Sequence, residues 1–344
     1  MTILFFSRLF YPHVGGVETH ALETGKILVK DGYTVVVVTE NHSWPVIESV
    51  EGINVYRMPI GKENWFKKFR IWSWLWKHRK LIKEADVIHC HDVFFWYLPF
   101  RFLFPTKPVY TTFHGHEMKF PPAKKAILVR KMSEKLSWGN ICVGKYIQKW
   151  YGTNPTLITD GAINAMKESH VKTIQGKIKI VFIGRLDPDT GIPTYLHMLD
   201  LLKSKHIDFS FEACGDGSLR EDVEQYGRVH GFVNNVSYFI TQADFVFASS
   251  QLSIMEALLG KRIVFAAYDN ELKKDLLSLA RFGKWIIMSD DPSYLADQLN
   301  VVLKNPSAYN ALKEDAYQWV KTQTWRSLAD LYTQLWQSNS HQRS

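Results

Sequence analysis

Apolar positions along the chain fall into short uninterrupted runs separated by longer amphipathic stretches. Residues 2–6, 33–38, 87–90, 109–112 and 140–143 are runs rich in β-branched and aromatic side chains, as expected of strands buried on both faces. Between the first two, a loop at 12–16 leads into 17–29, where Val17, Leu22, Ile27 and Leu28 take helical spacing. This alternation predicts a parallel sheet covered by helices.

The pattern restarts after the polar stretch 166–176. Strand 179–183, loop 184–191 and helix 193–203 are followed by strands at 209–213, 245–248 and 263–266. The restart predicts an α/β protein of two doubly wound, Rossmann-like domains that face each other across a cleft. The expected division is 1–170, 171–322 and a terminal helix at 323–344. Trp325, Leu328, Leu331, Tyr332 and Leu335 share one face of that helix, and the N-terminal domain is its candidate partner.

Composition supports two folded domains and adds an asymmetry. The 344 residues are 46% hydrophobic and 22% charged, which excludes disordered, collagenous and polytopic membrane classes. Of the formal charge of +8, residues 1–168 hold 23 basic against 14 acidic side chains, or +9, and 169–344 hold 19 against 20, or −1. The first half therefore is expected to face an anionic partner. Cys90, Cys142 and Cys214 are an odd number in apolar runs, which fits a reducing, cytoplasmic compartment. The N-terminus reads as a first strand, not a signal peptide. The most apolar stretch, 93–104, is interrupted by Pro99 and Arg101 and is too short to span a bilayer.

Candidate chemistry sits where strands end. Gly15-Gly16 lies between a strand and a helix, where glycine admits a ligand close to the backbone and the helix N-terminus offers N–H groups to an anion. Arg185, in Gly184-Arg185-Leu186, ends a strand of the second half, and its planar fork suits phosphate. Gly215-Asp216-Gly217, Gly231-Phe232-Val233 and Ser253–Ala257 follow.

Together with Asp86–His89, Thr112–His114, Thr159–Gly161, Ala243-Asp244 and the terminal Trp325 and Tyr332, this ordered series resembles the retaining GT-B glycosyltransferases of family 4 (glycosyl transferases group 1). The resemblance implies a GT-B fold with an acceptor-binding N-terminal domain and a donor-binding C-terminal one. Arg185 would neutralise the leaving diphosphate, Glu256 would bind the ribose diol, and His114 would lie beside the reacting sugar. The implied donor-binding set is Gly15, Gly16, Arg185, Thr190, Gly231, Phe232, Val233, Ser253, Ile254 and Glu256, with the backbone N–H groups of Ser253 and Ile254 on phosphate. No metal or cofactor is implied, the donor being a nucleoside diphosphate sugar. Front-face attack, with the departing phosphate taking the acceptor's proton, leaves no enzyme base to assign.

Two positions depart from the family pattern. Relatives usually carry lysine where this chain has Thr190, and a first glutamate where it has Ala248. A sugar-nucleotide epimerase or phosphorylase of the same fold, and an inactive donor-binding relative, are the alternative readings.

Two further groupings need weighing. His89, His91, His114 and His116 sit near two strand ends and could chelate zinc as in a metal-dependent hydrolase, but the spacing fits no dedicated site, and no metal is expected. Residues 65–80 interleave tryptophan with lysine and arginine. On a helix, Trp65, Phe69, Trp72 and Trp76 make a stripe, and with Lys67 and Lys68 they are expected to face an anionic membrane surface. The aromatic run 94–104 and the basic segment 119–125 point the same way. No recognition motif accompanies the charge, so a nucleic-acid partner is not expected. The expected substrate pair is thus a nucleotide sugar and a lipid-linked or envelope glycan acceptor, handled by an enzyme peripheral to the inner face of the membrane.

Overall fold

The computed structural model of the protein describes residues 1–41, 46–61, 63–115, 120–166, 176–233 and 235–341. The expected boundary at 170/171 lies outside the described residues, as do His116 and Lys119. The chain divides into two compact units, Met1–Ala162 with Trp325–Ser344, and Ile163–Thr324.

The first unit holds β1 (Thr2–Ser7), β2 (Thr34–Glu40), β3 (Ile47–Val50), β4 (Ile53–Met58), β5 (Val87–His91), β6 (Val109–Phe113), β7 (Gly139–Val143) and β8 (Leu157–Thr159). They form one sheet in the order β3-β4-β2-β1-β5-β6-β7-β8. Every pairing is parallel except β3 with β4. That hairpin turns at Glu51-Gly52, both at positive φ, the geometry that matches strand twist in a two-residue turn. No strand was expected at 47–58, because the segment alternates apolar and polar side chains and lacks the solid run of its neighbours. The inner strands β5, β6 and β7 are buried at every residue, as a sheet covered on both faces requires.

Part of that cover comes from the end of the chain. The helix Trp325–His341 buries Trp325, Leu328, Ala329, Tyr332 and Trp336, a spacing of three or four residues. Leu331, placed on the packed face by the sequence reading, is exposed instead. The helix packs beside Gly16–Lys30; Arg326 pairs with Asp31 at 2.5 Å, and the edge of Trp336 meets Phe5 at a centroid distance of 6.5 Å.

The second unit holds β9 (Ile178–Ile183), β10 (Phe209–Cys214), β11 (Arg228–Val229), β12 (Phe245–Phe247), β13 (Ile263–Ala267) and β14 (Ile287–Ser289). The sheet is wholly parallel in the order β11-β10-β9-β12-β13-β14. Separate apolar clusters lie on its two faces, one around Val246, Ile254 and Phe282, the other around Phe182, Tyr195 and Phe247. Both sheets thus reverse their strand order once, between β1 and β5 and between β9 and β12. In open α/β sheets that reversal opens a crevice at the carboxyl ends of the strands.

Because the terminal helix belongs to the first unit, residues 163–324 alone are expected to melt cooperatively. Residues 1–162 alone are expected to lack a folded baseline until 325–344 is supplied. Circular dichroism melts of the fragments test this; a cooperative transition for 1–162 alone would show that the helix is dispensable.

Candidate active-site residues at the two strand switch points

In the first unit the carboxyl ends of β1, β5 and β6 carry a cluster of imidazoles. Register pairs Ser7 with His91 and His91 with Thr112, so His91 lies at the reversal and His114 follows β6 immediately. His91 Nδ1 and His114 Nε2 are 2.9 Å apart, and the His114 amide donates to both carboxylate oxygens of Asp92, at 3.1 and 3.3 Å. His20, from the helix after Gly15-Gly16, meets His114 edge-on with ring centroids 4.5 Å apart.

The hydroxyl of Tyr332, on the terminal helix, joins this cluster to the sheet. It lies 2.8 Å from His20 Nε2 and 3.0 Å from Thr112 Oγ1, which is itself 2.7 Å from His89 Nε2. Burial pushes His20, His89 and His114 well below the usual imidazole range, with neighbouring histidines adding to the effect. Burial alone lowers His91 to about 3. These are neutral imidazoles, the form that ligates a metal, and one ring nitrogen each from His20, His91 and His114 lie within 4.8 Å of one another. Yet His91 and His114 already bond to each other and His20 to Tyr332, so hydrogen bonding accounts for the grouping. The histidine that sequence spacing did not bring in is His20, contributed by a different element.

Gly15, at the same edge, has an extended backbone open to any residue. A methyl group there would meet the Glu18 carboxylate at 2.3 Å, whereas at Gly16 it would meet nothing within 4 Å. Gly16 therefore starts its helix beside open space.

In the second unit, Arg185 follows β9 and the helix Gln251–Leu259 follows β12, on the two sides of the reversal. Gly184 and Gly215 sit at φ of 151° and 155°, and a methyl group on Gly215 would lie 1.7 Å from the Gly184 carbonyl oxygen. Glycine lets these two strand-end turns touch, and an amide of one bonds a carbonyl of the other, Leu186 N–H to Asp216 at 2.9 Å. The Arg185 guanidinium donates to Asp187 at 2.7 Å and Asp189 at 2.8 Å. The Ser218 amide, with its hydroxyl and Arg185, holds Asp187 below the usual carboxylate range.

The remaining expected donor residues are placed as follows. Thr190 lies in the turn Pro188–Thr190, and its hydroxyl donates to the carbonyls of Arg185 and Asp187, each at 2.7 Å. Gly231, at φ 69°, bridges to Gly215; Phe232 beside it is exposed, and Val233 packs against the core. Ala248 is fully buried, so no carboxylate stands at that position. Glu256 is half-buried, burial pushes it up to about 7, and no described residue hydrogen-bonds it.

Ser253 and Ile254 differ from expectation. Ser250 caps their helix, its Oγ accepting from the Ser253 amide and its carbonyl from the Ile254 amide at 3.0 Å. The amides without a protein acceptor among the described residues are those of Gln251 and Leu252, two residues earlier, where a helix leaves its donors open. Gln251 Nε2 is likewise buried and unpartnered. A serine ahead of an apolar helix was the available signal for this cap.

The 65–80 segment also departs in part. The helix is Lys67–Lys77, and Trp65 precedes it. Ile71 and Leu75 face the core, and Trp72 turns inward to donate to the Phe95 carbonyl at 3.0 Å. Lys67, 15% exposed, is held by Glu40 at 2.9 Å and Glu63 at 2.5 Å. Lys67 and Trp72 therefore leave the expected membrane-facing set, because core packing and an ion pair take them. Trp65, Phe69 and Trp76 remain exposed, with Lys68 4.3 Å over the Trp65 ring and Arg79 5.4 Å over Trp76.

Residues 14–155 match the model of Glycosyltransferase Family 4. A glycosyltransferase from Rickettsia africae superposes with a TM-score of 0.73 at 14% identity, over 98% of both chains. The Anabaena protein HepE, solved in complex with UDP and glucose, gives 0.70 at 14%, over 96% of this chain and 97% of its own. The phosphatidylinositol N-acetylglucosaminyltransferase GPI3 subunit of Saccharomyces cerevisiae is 24% identical over 247 residues, 64% of this chain. This chain spans about half, 54%, of that relative's length. The GT-B fold and the resemblance to family 4 both hold.

Four neutral buried imidazoles make the first unit acid-sensitive. The unfolded chain takes protons near pH 6.5 while the folded cluster refuses them, so the unfolded state binds more protons below that pH. Stability present above pH 6.5 is then lost as pH falls toward the folded values, by about 1.4 kcal/mol per pH unit for each histidine. Urea titrations at pH 7.5 and 5.0 should show a marked drop that shrinks in a His89→Gln, His91→Asn double variant. An unchanged midpoint would mean the cluster accepts protons while folded.

Proposed function

Taking the chain as a family 4 glycosyltransferase on the GT-B fold, we propose that it transfers a sugar from a nucleoside diphosphate sugar to a lipid-linked or envelope glycan acceptor, with retention and without a metal. The observation that carries the donor half is Glu256. A desolvated carboxylate without a protein partner costs stability, and it stands on the helix that opens with the free amides, across the strand switch from the β9 end that carries Arg185. Vicinal hydroxyls of a ribose supply the donors it lacks.

In this reading Arg185 meets the diphosphate, the Gln251 and Leu252 amides add the positive end of a helix, and Phe232 borders the base at the Gly231–Val233 turn. Within the first unit, His114 is a neutral hydrogen-bonding group held by His91 and Asp92. The bond from the sugar's anomeric carbon to the diphosphate breaks, and the acceptor oxygen bonds that carbon on the same face. The acceptor's proton passes to the departing phosphate, so no side chain acts as base. Developing negative charge is met by Arg185 and the helix amides.

The acceptor half rests on the first unit's surface. Among the described residues no helix is long and apolar enough to cross a membrane, while Trp65, Phe66, Phe69 and Trp76 stand in solvent beside Lys68 and Arg79. Aromatic rings with basic heads suit the headgroup layer of an anionic bilayer. A lipid-linked acceptor would be met there, in keeping with the phosphatidylinositol named for the yeast relative.

Arg185→Ala and Glu256→Ala should each reduce acceptor-dependent release of nucleoside diphosphate by at least tenfold, measured across a panel of sugar nucleotides. Two variants as active as the parent, or release indifferent to acceptor, would overturn the assignment. Since an ionised Glu256 accepts from two hydroxyls more strongly than the protonated acid does, donor affinity should rise as pH increases through about 7, and Glu256→Gln should flatten that profile.

Flotation with anionic liposomes should carry the protein upward, and a Trp65→Ala, Phe69→Ala, Trp76→Ala variant should remain below. Failure of the parent to float with anionic or neutral vesicles would remove the membrane proposal.

A further inference from the structure

Thr190 is a neutral residue at the far end of the turn Pro188–Thr190, and it has no charge to offer there. Its hydroxyl is spent on the Arg185 and Asp187 carbonyls, which fixes the turn but brings no charge. A cation reaches the same turn from elsewhere in the chain. Lys273 lies in the helix Glu271–Ser278, which follows β13, and Asn270 caps that helix by accepting from the Lys273 amide at 3.0 Å. The Lys273 side chain runs back to the Pro188–Thr190 turn, where Nζ donates to the Asp189 carbonyl at 2.5 Å and approaches Asp189 Oδ2 at 3.4 Å.

Asp189 Oδ2 is the same oxygen that receives the Arg185 guanidinium at 2.8 Å. Sharing one oxygen keeps the two cations close enough to be spanned by one diphosphate. The strands they follow, β9 and β13, flank β12, whose following helix carries the open Gln251 and Leu252 amides and Glu256. Lys273 is only 12% exposed, and an ammonium has three hydrogens. Both of its acceptors belong to Asp189, and among the described residues the third hydrogen has none. A desolvated ammonium with an unmet donor, beside an arginine at a strand switch point, is a site for an anionic oxygen.

We propose that Lys273 is the second phosphate-binding cation of the donor site, taking from the helix after β13 the role that Thr190 cannot fill. The proposal rests on the donor-site reading above. It assigns the two cations to one diphosphate, with Asp189 holding them together.

Calorimetry on the full chain with inorganic pyrophosphate, UDP, GDP and ADP tests it. Lys273→Met should weaken whichever diphosphates bind the parent by roughly ten- to a hundredfold, with little change for the matching nucleoside. Adding Thr190→Lys to Lys273→Met should recover much of the loss, which a lysine serving only to tie helix to turn would not allow. Should Lys273→Met melt early, Lys273→Arg and Lys273→Gln are compared at a temperature where both are folded: the arginine is expected to keep diphosphate affinity and the glutamine to lose it. If Arg185→Ala loses diphosphate binding while Lys273→Met and Lys273→Gln keep it, Lys273 is no part of the site. If neither Arg185 nor Lys273 variants change it, the donor-site reading itself fails.

Discussion

A parallel sheet must be covered on both faces, and this constraint organises each unit. It forces helices between successive strands and leaves the carboxyl ends of the strands as the edge where polar side chains can gather. In the first unit the cover is completed by the helix Trp325–His341. Trp336 lies against Phe5 and His89, so the strands at the switch point are sealed by residues more than two hundred positions away in sequence. Sealing them desolvates every polar group beneath. The Tyr332 hydroxyl, shared between His20 and Thr112, gives those groups partners that water would otherwise supply. The neutral state of the histidines, and with it the character of His114, follows from that seal.

The second unit meets the same constraint with tighter turns. Gly215 and Gly217 bring one strand-end turn against another, with a methyl group on Gly217 falling 2.5 Å from the Leu186 carbonyl oxygen. Close packing of the two turns fixes the backbone from which Arg185 departs. Its guanidinium is met by Asp187 and Asp189; Asp189 also meets Lys273. The result is a locally balanced set of two cations and two carboxylates. Such a set holds cations in place without the repulsion that two unpaired charges would feel. Glu256 has no such counterpart, which is why burial alone decides its protonation.

What was legible in the sequence was whatever depends on local pattern. The solid runs of β1, β2, β5, β6 and β9 announce themselves because both faces are buried, and Gly184-Arg185-Leu186 is read at once as a strand end. The hairpin of β3 and β4 was missed because one of its faces is wet and its alternation is too short to stand out. Contacts made across the fold were also illegible: nothing near Thr190 in sequence points to Lys273, and nothing near His114 points to His20. The amides of Ser253 and Ile254 are taken by Ser250, and the open ones lie two residues earlier, directly after the cap. On the 65–80 segment, periodicity showed that one face is aromatic but not that Ile71 and Leu75 would win the core.

The charge excess of the first half is narrower at the surface than in composition. Arg57 is fully buried, paired with Glu48 and donating to the Tyr11 carbonyl at 2.7 Å. Arg130 lies 3.8 Å over the Tyr151 ring and donates to Gly115, and Lys107 satisfies the carbonyls of Lys83 and Ala85. With Lys67 held by two glutamates, these residues cement loops to the sheet, and the two that are paired with carboxylates, Arg57 and Lys67, contribute little field outside it. Lys77, Arg79 and Lys80 are exposed, and Lys68 is half-exposed over Trp65, all within or just after one aromatic helix. Lys124, Lys125, Lys131, Lys135 and Lys145 are exposed elsewhere on the unit, and such cations alone would attract any polyanion. On the membrane proposal, what sets the 65–80 segment apart is that its cations are interleaved with exposed aromatic rings, a pairing suited to a surface that is anionic outside and apolar beneath.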